Sequence, residues 1–146
     1  MAAPQLTVTY EVRYDATEWP IFRVVLPSQR LTLAAFREHL DHVSAVYERK
    51  ESFCLLIDAL RAPPFNATER QLIAESLRFN ARRCPGVLRG LAVCLTSTIA
   101  RGGFTAIQWL ARPPYPMAAF ESVPAASVWL ARQLAAPTSP HTRVRA

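Results

Sequence analysis

Leu6, Val8, Tyr10, Val12 and Tyr14 alternate with Thr7, Thr9, Glu11 and Arg13, a period of two that puts the apolar side chains on one face of a half-buried strand. Turn-forming residues occupy Asp15 to Pro20, and Ile21 to Leu26 follows as a nearly continuous apolar run, the pattern of a more deeply buried strand. So short a connection predicts a hairpin with antiparallel pairing. Beyond Pro27-Ser28 the period changes. Leu33, Phe36, Leu40, Val43 and Tyr47 form a helical stripe, with Thr32 as N-cap and Arg37, Glu38, Asp41, Glu48 and Arg49 on the opposite side.

The compact run Phe53 to Ile57, ending at Asp58, predicts a buried strand. Pro63 and Pro64 lack backbone donors and exclude the helical region before them, so Leu60 to Phe65 is a loop. Asn66-Ala67-Thr68-Glu69 fits a capping box, with Asn66 as cap and Glu69 at the third helical position. The helix it opens runs to about Cys84 and is ended by Pro85-Gly86. Leu88 to Leu95 reads as a strand, and Thr96-Ser97-Thr98 leads into a helix ending near Leu110, its start weakened by Gly102-Gly103. After Pro113-Pro114, Met117 to Phe120 is a short strand, and Ser122-Val123-Pro124 opens a last helix to about Leu134. Residues 135–146, rich in Pro, Ser, Thr and Arg, read as a flexible basic tail. The order β-β-α-β-α-β-α-β-α demands an α/β fold: a mixed, mostly parallel sheet with four helices, in one domain over residues 1–134.

Composition narrows the function classes. The 146 residues suffice for one ordinary core without staples. Cys54, Cys84 and Cys94 are an odd set without paired spacing, which argues against a disulfide framework or a zinc site. No apolar run reaches a membrane-spanning length, and Met1 to Gln5 lacks a charged-then-apolar signal pattern. A cytoplasmic, non-transmembrane protein is expected. The formal charge is +6, yet the cations are spread from Arg13 to Arg145. A nucleic-acid surface would cluster them on one element, so net charge here speaks for solubility and not for a nucleic-acid partner.

With this element order, the chain resembles the STAS superfamily, in its SpoIIAA-like branch, which has been compared with the SEC14-like lipid-binding fold. The resemblance spans about residues 6–134. It rests on Leu55-Leu56-Ile57-Asp58, on Arg89-Gly90-Leu91-Ala92-Val93, and on Phe120-Glu121-Ser122 with Ala126 and Trp129-Leu130. Classical members are switched by phosphorylation of a Ser or Thr at the start of the helix after the third strand. Asn66-Ala67-Thr68-Glu69 stands there, with Ala67 at the acceptor position and Glu69 in place of the usual glycine. Thr68 is the nearest hydroxyl, and a phosphate on it would gain from the helix dipole but meet Glu69. The familiar switch is therefore expected to be absent.

Asp58, at the end of a parallel strand, stands where open α/β sheets collect functional groups. Its plainer role is to organise the following loop by accepting backbone N–H bonds, and no second group is placed by sequence to form a catalytic pair with it. Asn66 and Thr68 are interaction or switch candidates. Thr96, Ser97, Thr98, Arg101, Gly102 and Gly103 combine hydroxyls, a cation and flexible backbone, and form an anion- or ligand-binding candidate that matches neither phosphate-loop nor dinucleotide fingerprints. His39 and His42 share a helix face without an evident third metal ligand. Cys84, beside Arg82 and Arg83, would be reactive if exposed. Trp109, Tyr115 and Trp129 are expected mainly in the core. The function expected is a non-catalytic regulatory or scaffolding domain that binds another protein around Pro63 to Thr68 and Thr96 to Gly103. The alternative is a small-molecule or lipid-binding domain with a dry pocket of several hundred cubic ångströms. No cofactor and no metal is expected. A homodimer through the first strand is also open.

Overall fold

The computed structural model describes residues 11–137, in which five strands and four helices alternate in the expected order. The strands are β1 (Arg13–Asp15), β2 (Ile21–Val25), β3 (Phe53–Asp58), β4 (Leu88–Cys94) and β5 (Met117–Phe120). The helices are α1 (Leu33–Tyr47), α2 (Ala67–Arg83), α3 (Thr98–Ala111) and α4 (Val123–Ala135). Leu6, Val8 and Tyr10 of the alternating segment, and residues 138–146 of the expected tail, lie outside the described residues. Within them, Val12 and Tyr14 do share a face and pack on the main core.

The sheet order is β1-β2-β3-β4-β5, antiparallel between β1 and β2 and parallel from there on. Thr17 donates to Asp15 Oδ1 from both its backbone nitrogen (2.8 Å) and its hydroxyl (2.6 Å), which forms the turn between β1 and β2. From β2 onward each strand is added on the same side of the last. Right-handed crossovers then put α1, α2 and α3 on one face, and α4 returns across the other.

Strand alternation divides the core accordingly. Phe22, Val24, Phe53, Leu55, Leu91 and Val93 point beneath the three helices and meet Val43, Tyr47, Leu77, Phe104 and Ile107. Cys54, Leu56, Ala92 and Cys94 point the other way and meet Ala126 and Leu130 of α4. This smaller layer needs α4 to lie close. Gly90 permits that: a Cβ there would stand 3.2 Å from Gln133 Cγ and 3.3 Å from its Cβ.

All four helices begin on a side chain that accepts a backbone N–H two or three positions inside: Thr32 from Ala35, Asn66 from Glu69, Ser97 from Ala100 and Ser122 from Ala125. Each cap satisfies a donor that the helical ladder cannot reach. Helix α3 runs through Gly102-Gly103 without a break, because the Ser97 cap and the burial of Phe104, Ile107 and Ala111 outweigh the roughly 1 kcal/mol cost of each glycine. A left-handed Gly86 (φ +78°) turns the chain from α2 into β4.

Candidate functional site at the carboxyl edge of the sheet

The carboxyl ends of β2 to β5 and the amino ends of all four helices meet along one edge, which carries the sequence-predicted interaction residues. The best-built corner is the start of α2. Glu69, buried, accepts from the Asn66 backbone N–H at 2.9 Å while its own N–H donates to Asn66 Oδ1 at 2.8 Å. Arg30, from the loop before α1, donates to the same Glu69 Oε1 and also to the Pro64 carbonyl at 2.8 Å. Arg70 holds the Phe65 carbonyl at 2.8 Å. The proline loop is thus fastened at both sides, and Asn66, Ala67 and Thr68 stand exposed on a fixed base. Asn66 is committed to its cap, so Thr68 is the free hydroxyl among the switch candidates.

The second segment is divided by the helix that contains it. Thr96, Ser97 and Thr98 are exposed along the edge, with the Ser97 hydroxyl committed to Ala100 N–H at 3.0 Å. Arg101 reaches across to Glu121 in the loop after β5, 3.1 Å away. Gly102 faces open space, whereas Gly103 faces Arg70 of α2. The two glycines therefore belong to two sides of α3 and do not line one anion cradle with the hydroxyls.

Asp58 lies apart from both segments. Position fixes this: in β3 it alternates with Ile57, so its side chain is on the α4 face while the capping cluster is under the other helices. Its carboxylate pairs with Arg23 of β2 at 2.9 Å and accepts the Leu60 backbone N–H at 3.2 Å. That is the loop-organising role, with a cation added. Arg23 was not singled out from the sequence, although a lone cation inside the apolar run Ile21–Val25 was a signal that a carboxylate would meet it. A mixed-charge cleft of about 290 Å³ opens beside this pair, between the first turn of α4 and the β1–β2 hairpin, lined by Asp15, Glu18, Arg23 and Ser127 among others. Arg30 was missed as well, since nothing local in Pro27 to Leu31 reports a partner 39 residues away.

The remaining candidates find structural surroundings. His39 and His42 both reach Tyr14: the Tyr14 hydroxyl and His39 Nδ1 are 2.9 Å apart, and the Tyr14 and His42 rings stack at 3.8 Å. Burial, aided by the neighbouring His42, pushes the His39 pKa down to about 4. Burial raises that of Tyr14 to about 12, with Glu38 adding to it. Cys84 is buried, so the exposure that a reactive thiol requires is missing. Cys54 and Cys94 are buried too, and desolvation pushes their thiols up to about 12 and about 11.

Trp109 overturns an expectation. It is 76% exposed on α3, as Ile99 is at 75%, because Phe104, Ile107 and Ala111 already supply the inward face. Tyr115 and Trp129 do pack against core clusters. The apolar interior between α1, α2 and the sheet holds a cavity of only about 70 Å³, lined by Phe36, Val43, Tyr47, Leu77, Asn80 and other side chains. The lipid alternative expected several hundred, so a chain-length ligand would need α1 and α2 to part. No helix among the described residues is long and apolar enough to cross a membrane.

No family model matches the chain, and no curated protein matches it in sequence. Its structure is similar to the crystal structure of an uncharacterized protein of the DUF3478 family with a SpoIIAA-like fold, from Shewanella loihica PV-4. The two are 12% identical, the match covers 89% of this chain and 98% of the other, and the TM-score is 0.54. The chain has a SpoIIAA-like α/β fold, as the element order and the quoted motifs led one to expect.

Proposed function

We propose that the protein is a non-catalytic, SpoIIAA-like regulatory or scaffolding domain that binds another protein through the carboxyl edge of its sheet. The observation that carries this reading is the fastening of that edge. Two cross-loop ion pairs, Arg30–Glu69 and Arg101–Glu121, together with four side-chain caps, hold an exposed rim of Thr68, Thr96 and Thr98 in place. A rim ordered before binding loses little conformational freedom when a partner docks. The charged side chains beneath the rim, and the Asn66 and Ser97 caps, are committed to ion pairs and helix ends, which leaves the threonine hydroxyls of the rim to meet a partner.

The test is native mass spectrometry of protein purified gently from its own source, paired with Thr68→Arg and Thr96→Arg variants. Both sites are exposed, so the fold should tolerate the changes. The reading expects a bound protein chain that both variants release without altering thermal unfolding. A retained adduct of lipid mass would replace it with the ligand-binding alternative, in which the small apolar cavity opens between α1 and α2. A phosphate increment that maps to Thr68 would add a switch to the same surface.

A further inference from the structure

The outer face of α3 carries a second pattern, independent of the loop edge. Ile99, Gly102, Ala106 and Trp109 follow one another at steps of three, four and three residues, the spacing of a coiled-coil seam. A stripe that narrow is what one helix presents to another, whereas a face turned toward a globular core is wider. Here the core face is occupied separately by Phe104, Ile107 and Ala111. Ile99, Gly102 and Trp109 are left to solvent, the two large ones three-quarters exposed, and Ala106 is half-buried between them. Isolated exposed apolar residues are ordinary, but here two large ones stand in line on one helix, joined by two small ones.

We infer that this seam pairs with the same seam of a second copy, antiparallel and about a two-fold axis. The seam reads large, small, small, large, and it is symmetric about the middle of the helix. An antiparallel approach therefore sets Ile99 against Trp109 of the second copy and Gly102 against its Ala106. Small residues at the centre let the helices come close, and the large ones close both ends of the contact. Such self-matching is what an isologous interface requires.

Charge also favours a second copy over an acidic or basic partner. None of the four seam residues is charged, and the nearest flanking cation, Arg101, is matched by Glu121 at 3.1 Å. Reversing one helix against the other brings exposed Arg112, at the end of α3, toward the start of its mate, where the exposed Glu121 would be shared with Arg101 of its own copy. The contact is small: α3 has 14 residues, about 21 Å of helix. A single helix of that length covers less than the roughly 800 Å² per partner of a standard interface. The dimer should accordingly be weak and reversible.

Sedimentation equilibrium of the full chain between about 5 and 500 µM reads this directly, against the monomer mass of 16.3 kDa. The expected result is a reversible monomer–dimer equilibrium, abolished by Trp109→Asp and unaffected by Val128→Asp on α4. Gly102→Leu guards against misfolding as an explanation. A Cβ at Gly102 meets nothing within 4 Å, so the variant should be at least as stable as wild type to heat and yet lose the dimer. Orientation is read by oxidative cross-linking. A mixture of Gly102→Cys and Ala106→Cys chains should give the mixed disulfide, in preference to either chain with itself. A chain that stays monomeric at 500 µM overturns the inference, as does a dimer that survives Gly102→Leu or cross-links Gly102→Cys to itself. None of these variants touches Thr68 or Thr96, so failure here is separable from failure of the proposed function.

Discussion

Acid should weaken this fold through His39, by an amount that follows from its surroundings. The ring is buried in α1 and hydrogen-bonded to Tyr14 at 2.9 Å. Burial first, and then the neighbouring His42, lower its pKa from 6.5 to about 4. The unfolded chain therefore takes up this proton before the folded chain does, and stability must rise with pH wherever the unfolded state binds more protons. The contribution is complete above about pH 6.5, declines as pH falls, and is gone below about pH 4. Near pH 5 the unfolded ring is almost wholly protonated and the folded ring about a tenth, a loss of about 2 kcal/mol out of a limit near 3. Urea unfolding followed by circular dichroism at about pH 7.5 and pH 5 measures it, on wild type and on His39→Leu. The His39→Leu chain serves to subtract what the rest of the protein contributes. Wild type should lose about 2 kcal/mol more than the variant between the two pH values. A difference below about 0.5 kcal/mol, or of opposite sign, would refute the argument that burial holds this ring neutral.

Three further outcomes follow from the packing. Leu130→Ala should cost about 3 kcal/mol in the same unfolding assay, because Leu130 is fully buried and is the one large side chain that α4 buries completely in the smaller core layer; a cost under 1 kcal/mol would mean that α4 is not held this way. Glu69→Ala removes a capping interaction and strands Arg30 and the Asn66 N–H, so a loss of about 2 kcal/mol is expected, roughly twice that of Asn66→Ala. The three cysteines, all buried, should resist a thiol reagent in the native protein and react together in denaturant, and a fast-reacting native thiol would contradict their placement.

Much of this fold was legible locally. Periods of two and of three to four residues marked the elements. Thr32, Asn66 and Ser122 marked three helix starts and Thr96-Ser97-Thr98 bracketed the fourth, because a cap is a relation between residues three apart in sequence. The capping box at Asn66 and Glu69 could be read with both of its bonds for the same reason. The weakening expected from Gly102-Gly103 at the start of α3 does not interrupt the helix, since intrinsic propensity is weak beside the burial of three side chains on the same helix.

What the chain order could not supply were relations across distance and the direction in which a side chain finally faces. Arg30 meets Glu69 and Arg23 meets Asp58 only because the parallel strands bring residues more than thirty positions apart side by side. The separation of Asp58 from Thr68 arises because strand alternation turns Asp58 to the α4 face while the crossover carries α2, with Thr68, to the other. Trp109 is hydrophobic enough for a core, and composition predicted one for it. Its exposure was decided by the inward face of α3, which Phe104, Ile107 and Ala111 already fill. Local sequence determines which elements form, because capping and periodicity act within a few residues. The tertiary structure alone decides which of their faces remain to meet a partner, because that depends on what the core has already covered.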